Sequence, residues 1–393
     1  MSLMSERDPT ELISIKATIL SDGGMAIGVN ISHCLVDGEG MFTFMKMWGM
    51  RYRGVRSGTE QQHVICHDRS LLFGKGVGSK LPHPEFRVLE SCEEPAQAAA
   101  AAAAASETAA KETTASEDAA PQASAAASEA VQSATPTVSK AAEAPAAAAA
   151  EVPTAAAAPV FPATSHSIFH LSPNQLKTLR SVASGPSDSK SEDHPTEHDP
   201  HGPTYVSTID SVSALMLLLI SQARGHNKDV RFTTGVNGRR RLIPSLPEDY
   251  CGNVIFNALS CYSASELSET TAATLRLVAQ RIRRSIISCS NTYMRDAIEF
   301  LTEQQNISSM RVGTDFFFGD DVMLTSWVNH GMYDADFGAR PWYVGVPRLP
   351  CCDGMVVVME GIGGAEGLDV LLLLEASASE RFKRLWNEVP FWQ

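Results

Sequence analysis

His33-Cys34-Leu35-Val36-Asp37-Gly38 is the stretch on which both fold and chemistry turn. It closes a run, residues 25–31, in which apolar side chains recur at every second position through Met25, Ile27, Val29 and Ile31. An earlier run, 11–20, alternates in the same way through Ile13, Ile15, Ala17 and Ile19, and Ser21-Asp22-Gly23-Gly24 separates the two. Alternation marks strands with one buried face. Asp-Gly between two such strands predicts a hairpin, whose second strand delivers His33 at its end. Gly38-Glu39-Gly40 allows a tight exit, and Met41, Phe44, Met45 and Trp48 then recur at helical spacing, so a helix is expected to follow. A histidine at a strand end can serve as a general base near neutral pH, and an aspartate beyond the turn can brace the loop. Taken alone, the hexapeptide also fits a histidine satisfied inside a core. A thiol–imidazole pair with Cys34 is disfavoured, because neighbours on a strand point to opposite faces.

Working outward, the 393 residues leave room for two domains. The apolar fraction of 44% overstates the core, since much of it is alanine between 96 and 158. Residues 94–160 are dominated by Ala, Ser, Thr, Glu and Pro without an aromatic before Phe161, and read as a disordered insertion. A second disordered stretch is expected at 185–203. It holds His194, His198 and His201 but no rigid frame for a ligand set, so no metal is expected. The net charge of −13 argues against a duplex nucleic-acid partner, which requires many cations against phosphate. Eight cysteines without a CxxC pair suggest reduced thiols. The longest apolar runs, near 215–220 and 370–374, are too short to cross a bilayer. These features predict a cytoplasmic protein without a membrane partner, expected as a monomer.

Beyond the insertion, 168–171 reads as a strand and Ser172-Pro173 as a helix start. A buried helix is expected at 211–223, a strand at 230–237 and a long amphipathic helix at 269–290 carrying Arg281, Arg283 and Arg284. Residues 315–328 read as strand-rich, 355–359 and 367–374 as a closing hairpin, and 379–386 as a last helix. This mixture predicts an α/β (α+β) layer architecture.

A second motif is Asp334-Ala335-Asp336-Phe337-Gly338, preceded by Leu324-Thr325-Ser326-Trp327. Asp-Phe-Gly in isolation suggests a kinase, but no glycine-rich loop, strand lysine or His-Arg-Asp loop lies upstream. Taken together and in this order, the two motifs resemble the BAHD acyltransferases, which carry His-x-x-x-Asp with a following glycine and Asp-Phe-Gly-Trp-Gly far downstream. The resemblance extends through His67-Asp68-Arg69-Ser70-Leu71-Leu72, residues 169–179, Val236-Asn237-Gly238-Arg239-Arg240-Arg241-Leu242, Leu246-Pro247 and Tyr250-Cys251-Gly252-Asn253. Residues 325–341 are similar to hydroxycinnamoyl-type transferases, with fungal trichothecene O-acetyltransferases as more distant relatives.

The resemblance implies a chloramphenicol acetyltransferase-like two-domain fold. Acyl-CoA is the co-substrate, no cofactor is bound permanently, and an alcohol or amine is the acceptor; the two enter opposite ends of a tunnel between the domains. His33 would take the acceptor proton, and attack on the thioester would be direct, without an acyl-enzyme. Thr325 and Trp327 are the implied donors to the oxyanion, so the implied catalytic set is His33, Asp37, Thr325 and Trp327. Asp37 would pair with Arg239 and hold the loop. Gly38, Asp336, Phe337 and Gly338 would be structural, the last three shaping the coenzyme end. Arg311 lies one register from where some relatives keep an arginine for an acidic acceptor. Arg240 and Arg241 are candidates for the coenzyme phosphates, with a solvated basic face as the preferred reading. Ala339 and Arg340 replace the second aromatic and glycine of the downstream motif. His33 also lies close to Met1, so residues 1–93 are expected to be the remnant of an N-terminally truncated first domain, with apolar sheet exposed, and 161–393 the second domain. A non-catalytic small-molecule binding relative is the alternative. A peptide-synthetase condensation domain is disfavoured, since Ser32 stands where that family has a second histidine.

Overall fold

The computed structural model describes residues 12–57, 65–88, 161–185, 205–225, 227–347 and 352–392. The insertion expected at 94–160 and the loop 186–203 lie outside the described residues.

The alternating runs form the expected hairpin. β1 (Ile13–Ile19) pairs antiparallel with β2 (Met25–Ile31), Ile13 opposite Ile31 and Ile19 opposite Met25. Asp22 accepts the Gly24 amide, Leu20 N donates to Gly24 O at 2.8 Å, and Gly23 takes φ +85°, which glycine adopts without strain. The register puts Ile13, Ile15, Ala17 and Ile19 on one face with Ile31, Val29, Ile27 and Met25. That face is open: Ile19 is 73% and Met25 49% exposed. β2 ends at Ile31, and His33 stands in a separate turn closed by Leu35 N on Ser32 O at 2.9 Å. His33 and Cys34 are thus both exposed turn residues, and strand alternation does not separate them. The helix α1 (Gly38–Ser57) follows as expected.

The main sheet has the order β4-β10-β9-β8-β5-β6, with β4 (Thr164–Leu171), β5 (Val230–Asn237), β6 (Ile255–Tyr262), β8 (Val322–Ser326), β9 (Met355–Glu360) and β10 (Leu368–Glu375). β8 runs parallel to β5 and β9, and the outer pairings are antiparallel. β3 (Phe86–Val88) and β7 (Met310–Val312) form a separate two-stranded sheet. The helices are α2 (Pro173–Ser184), α3 (Thr208–Arg224), α4 (Ala272–Ser288), α5 (Asn291–Glu303) and α6 (Ala376–Asn387). α3 is buried on every side because it is apolar nearly all round. A Ser207–Asp210 capping box starts it and left-handed Gly225 ends it.

Alternation along the sheet separates two cores. Val356, Val358, Val370, Leu372 and Leu324 face the helices with Leu215, Leu218 and Phe382. Val357, Leu371 and Leu373 face the other way, onto Phe42 of α1 with Met332 and Tyr333. α1 and the turn before it therefore dock on the face of the sheet opposite the helix layer. The α/β layer expectation holds. Within 315–328 the strand is confined to β8, and α5 was not anticipated. The Arg241 expectation is corrected. Its guanidinium is partly buried and donates to Ile286 O at 2.8 Å near the end of α4, and burial lowers its pKa. Among the described residues no helix is long and apolar enough to cross a membrane.

Candidate active site

Asp37 and Arg239 anchor the loop. Asp37 is 2% and Arg239 3% exposed, and they form a bidentate pair with N–O distances of 2.8 and 2.9 Å. A buried charge is tolerable only when its remaining hydrogen-bonding capacity is filled. Asp37 also accepts the Gly40 and Val254 amides, both at 2.9 Å, and thereby caps α1. Arg239 spends its other donors on Tyr250 O at 3.1 Å, Gly252 O at 2.8 Å and, more weakly, Asn237 Oδ1 at 3.4 Å. The turn after β5, the start of β6 and the start of α1 are thereby held together. The pairing leaves Asp37 without a free oxygen to offer a substrate. Cys251 lies in the same knot, its Sγ 3.2 Å from Gly40 O, and burial pushes its thiol pKa up.

His33 stands at the exposed edge of this knot. The Asn253 amide nitrogen donates to His33 O at 2.8 Å and lies 3.4 Å from His33 Nδ1. The short bond to a carbonyl fixes which way the amide faces. Asn253 therefore holds the backbone of His33 and sits against its ring. Gly252-Asn253 was visible in the sequence as part of a segment, but its contact with His33 was not.

Gly38 and Trp327 meet directly. A Cβ on Gly38 would lie 3.1 Å from Trp327 Nε1 and 3.2 Å from its Cδ1, so the absence of a side chain admits the indole edge. Trp327 N donates to Val358 O at 2.8 Å, and its ring packs edge-on to Phe42 with centroids 5.4 Å apart. Thr325 pairs with Val357 in β8–β9. It follows Leu324, which faces the helices, so Thr325 faces the α1 side of the sheet. The structure thus brings Asp37, Gly38, Arg239 and Trp327 together, with His33 on the same turn and Thr325 on the same sheet face. His330, missed in the sequence although it stands three residues beyond Trp327, also reaches Gly38. Its Nδ1 would be 3.9 Å from a Cβ there.

Asp336, Phe337 and Gly338 sit elsewhere along α1. Gly49 meets the Asp336 backbone, Phe337 packs edge-on to Trp48 at 4.8 Å, and Arg53 donates to Asp336 at 2.7 Å. Gly49 lies about 16 Å along the helix from Gly38. The two motifs therefore grip the two halves of one helix. Arg311 is in β7, opposite Arg87 of β3, and donates to Met310 O at 2.7 Å. No described contact joins it to His33.

Residues 69–88 strap across α5 through carboxylates that capture backbone amides. Glu299 accepts from Lys75 and Gly76, Asp296 from Lys80 and Leu81, and Glu303 from Ser79. His83 is enclosed between Glu85 and Asp296, each at 2.9 Å. Burial opposes the charge on Asp296, but its bonds to His83 and the strap amides hold its pKa below the ordinary carboxylate range. This cluster is structural: every polar atom named in it is partnered.

A mixed parallel and antiparallel sheet carries helices on one face, and on the other a histidine turn beside a buried Asp–Arg pair. Residues 2–388 match the Transferase family, so the chain belongs to that family, the BAHD acyltransferases. It is similar to hydroxycinnamoyltransferase 2 of Oryza sativa subsp. japonica, 32% identical over 381 residues that cover 95% of this chain and 68% of the relative. A second relative is hydroxycinnamoyl-CoA:5-hydroxyanthranilate N-hydroxycinnamoyltransferase HHT4 of Avena sativa, 26% identical over 381 residues, 96% of this chain and 68% of the relative. Among solved structures, TRI101 of F. sporotrichioides complexed with coenzyme A and T-2 shares the fold. Its TM-score is 0.65 at 15% identity, over 97% of this chain and 70% of that one.

Proposed function

We propose that the chain transfers an acyl group from an acyl-CoA to a hydroxyl or amine of a small-molecule acceptor, with His33 as general base. The observation that carries this reading is the buried Asp37–Arg239 clamp, which fixes the turn bearing an exposed imidazole. In the proposed reaction His33 takes the proton of the acceptor O–H or N–H as that atom attacks the thioester carbonyl. The tetrahedral intermediate collapses, the C–S bond breaks, and the leaving thiolate recovers the proton from the imidazolium. No bond to the protein forms. Thr325 and Trp327 are the proposed donors to the oxyanion, and such a donor contributes about 3–4 kcal/mol where it acts. The relatives support the donor and acceptor classes: one acts on a hydroxycinnamoyl-CoA with an amine acceptor, and a solved neighbour holds coenzyme A. A monomeric state and a cytoplasmic location belong to the same proposal, as does a structural role for the Asp336-Phe337-Gly338 segment and an acceptor contact for Arg311.

The test is product formation from acetyl- and hydroxycinnamoyl-CoA with a panel of alcohols and amines, combined with intact-protein mass spectrometry. Acceptor-dependent ester or amide with no acyl adduct on the chain supports direct attack. An adduct competent for turnover would refute it. A non-catalytic binding relative is the second reading, favoured by the uncovered hairpin face. It predicts calorimetric acyl-CoA binding without product.

A further inference from the structure

His330 is a second imidazole, set against Gly38 at the start of the helix that follows the His33 turn, and the proposed reaction does not use it. The turn that aims it is unusual: Asn329 has φ +62° and Gly331 φ +74°, so left-handed residues flank His330 on both sides. Asn329 N donates to Glu360 at 2.9 Å, and His330 N to Trp327 O at 3.2 Å, fixing this geometry from β9 and from the end of β8. The side chain reaches Gly38 beside the Trp327 indole. Its Nδ1 is buried and makes no hydrogen bond. A buried lone pair without a partner costs less than a buried N–H cation without one, so the site favours the neutral ring. Burial indeed lowers the His330 pKa below its ordinary 6.5.

The charges around the ring come from every side. Glu39 on the first turn of α1, Asp37 before it and Glu360 at the end of β9 favour the charged ring, and Arg239 after β5 opposes it. Asp37 is committed to Arg239, and Glu360 to Asn329. Glu39 exerts the largest of these attractions on the ring. Asn237 Nδ2 donates to it, and Arg239 approaches it only to 3.9 Å. Glu39 is thus the carboxylate best able to answer a charge on His330.

We propose that His330 is a positioning residue of the site: its neutral ring backs the Asp37-Gly38-Glu39 start of α1, and protonation draws Glu39 from Asn237 and Arg239, displacing the start of α1 and with it the His33 turn joined to it. The consequence for turnover rests on the acyltransferase reading; the structural coupling does not. Acid then inactivates twice, once by charging the base and once by moving it. Replacing His330 removes the second effect and leaves the first.

The experiment follows the Gly38 and Gly40 amides and the histidine rings by NMR between pH 4.5 and 8, in chain labelled selectively at glycine and histidine. The account expects both amides to shift with the midpoint of His330, below 6.5. The transition should vanish in His330→Asn and move to lower pH in Glu39→Gln. Amides that ignore the His330 titration, or that shift unchanged in His330→Asn, overturn the proposal. In parallel, log kcat/KM is measured against pH. The native chain should reach a slope of two on the acid limb where His330→Asn keeps a slope of one. A native slope of one throughout overturns the catalytic consequence. If the native chain transfers no acyl group while the amide titration behaves as expected, the acyltransferase reading fails and the coupling stands.

Discussion

Replacing Asp37 by alanine probes the clamp on which the site depends. The substitution deletes two bonds from Arg239 and those from the Gly40 and Val254 amides. Removing one partner of a buried pair costs about 3–5 kcal/mol, because the other charge stays buried without compensation. Loss of the cap on α1 adds about 1 kcal/mol. Arg239 keeps the carbonyls of Tyr250 and Gly252, which hold the result near the lower end, about 4 kcal/mol. At a urea dependence of about 3 kcal/mol per M, the unfolding midpoint falls by roughly 1.3 M. Urea titration followed by tryptophan fluorescence and far-UV circular dichroism measures this. The double variant Asp37→Leu with Arg239→Met should recover part of the loss, since no unpaired charge remains while the Gly40 and Val254 amides and the Tyr250 and Gly252 carbonyls stay without these partners. A single-variant loss below about 1 kcal/mol, or a double variant no more stable than the single, would refute the reasoning.

Three further outcomes follow from the same geometry. Gly49→Ala should lower the melting temperature and cost about 1–3 kcal/mol despite the better helix propensity of alanine, because its Cβ would lie 2.6 Å from the Asp336 amide nitrogen. Phe337→Ala should destabilise by about 2–3 kcal/mol in chemical unfolding through lost packing on Trp48 and Tyr52. Glu266 is held at a pKa of about 2, against 4.5 ordinarily, chiefly by its hydrogen bond from Arg281. A depressed carboxylate pKa contributes stability that is fully present above 4.5 and is lost as pH falls toward 2. The stability gap between the native chain and Glu266→Gln should therefore narrow between pH 5 and pH 2.5, as read by urea unfolding at each pH.

The sequence displayed features set by neighbours in the chain. The hairpin was legible because Asp22-Gly23 separates two alternating runs, and α3 because it is apolar all round. The end of β2 was misread by a few residues, since nothing local distinguishes a strand end from the turn after it. Much of what stayed hidden depends on partners more than two hundred residues away. Asn253 meets His33, Gly49 meets Asp336, and the strap at 69–88 meets the carboxylates of α5. Arg241 looked like a solvated cation because its sequence neighbours are basic, yet its partners are carbonyls around the end of α4. α5 itself went unnoticed although Ser290 caps it and Met294 and Ala297 face inward. The Asp37–Arg239 pair was anticipated from the family resemblance, not from spacing.

The central claim is that His33 is the base for acyl transfer. The direct measurement is thiol release from acetyl-CoA and larger acyl-CoAs by the native chain and by His33→Ala, with and without alcohol and amine acceptors. His33 is exposed in its turn, so the variant should fold as the native chain does, with stability changed by no more than about 0.5 kcal/mol. The account predicts acceptor-dependent release by the native chain and a loss of roughly 10²–10⁴-fold in the variant. Equal release by both proteins would contradict it.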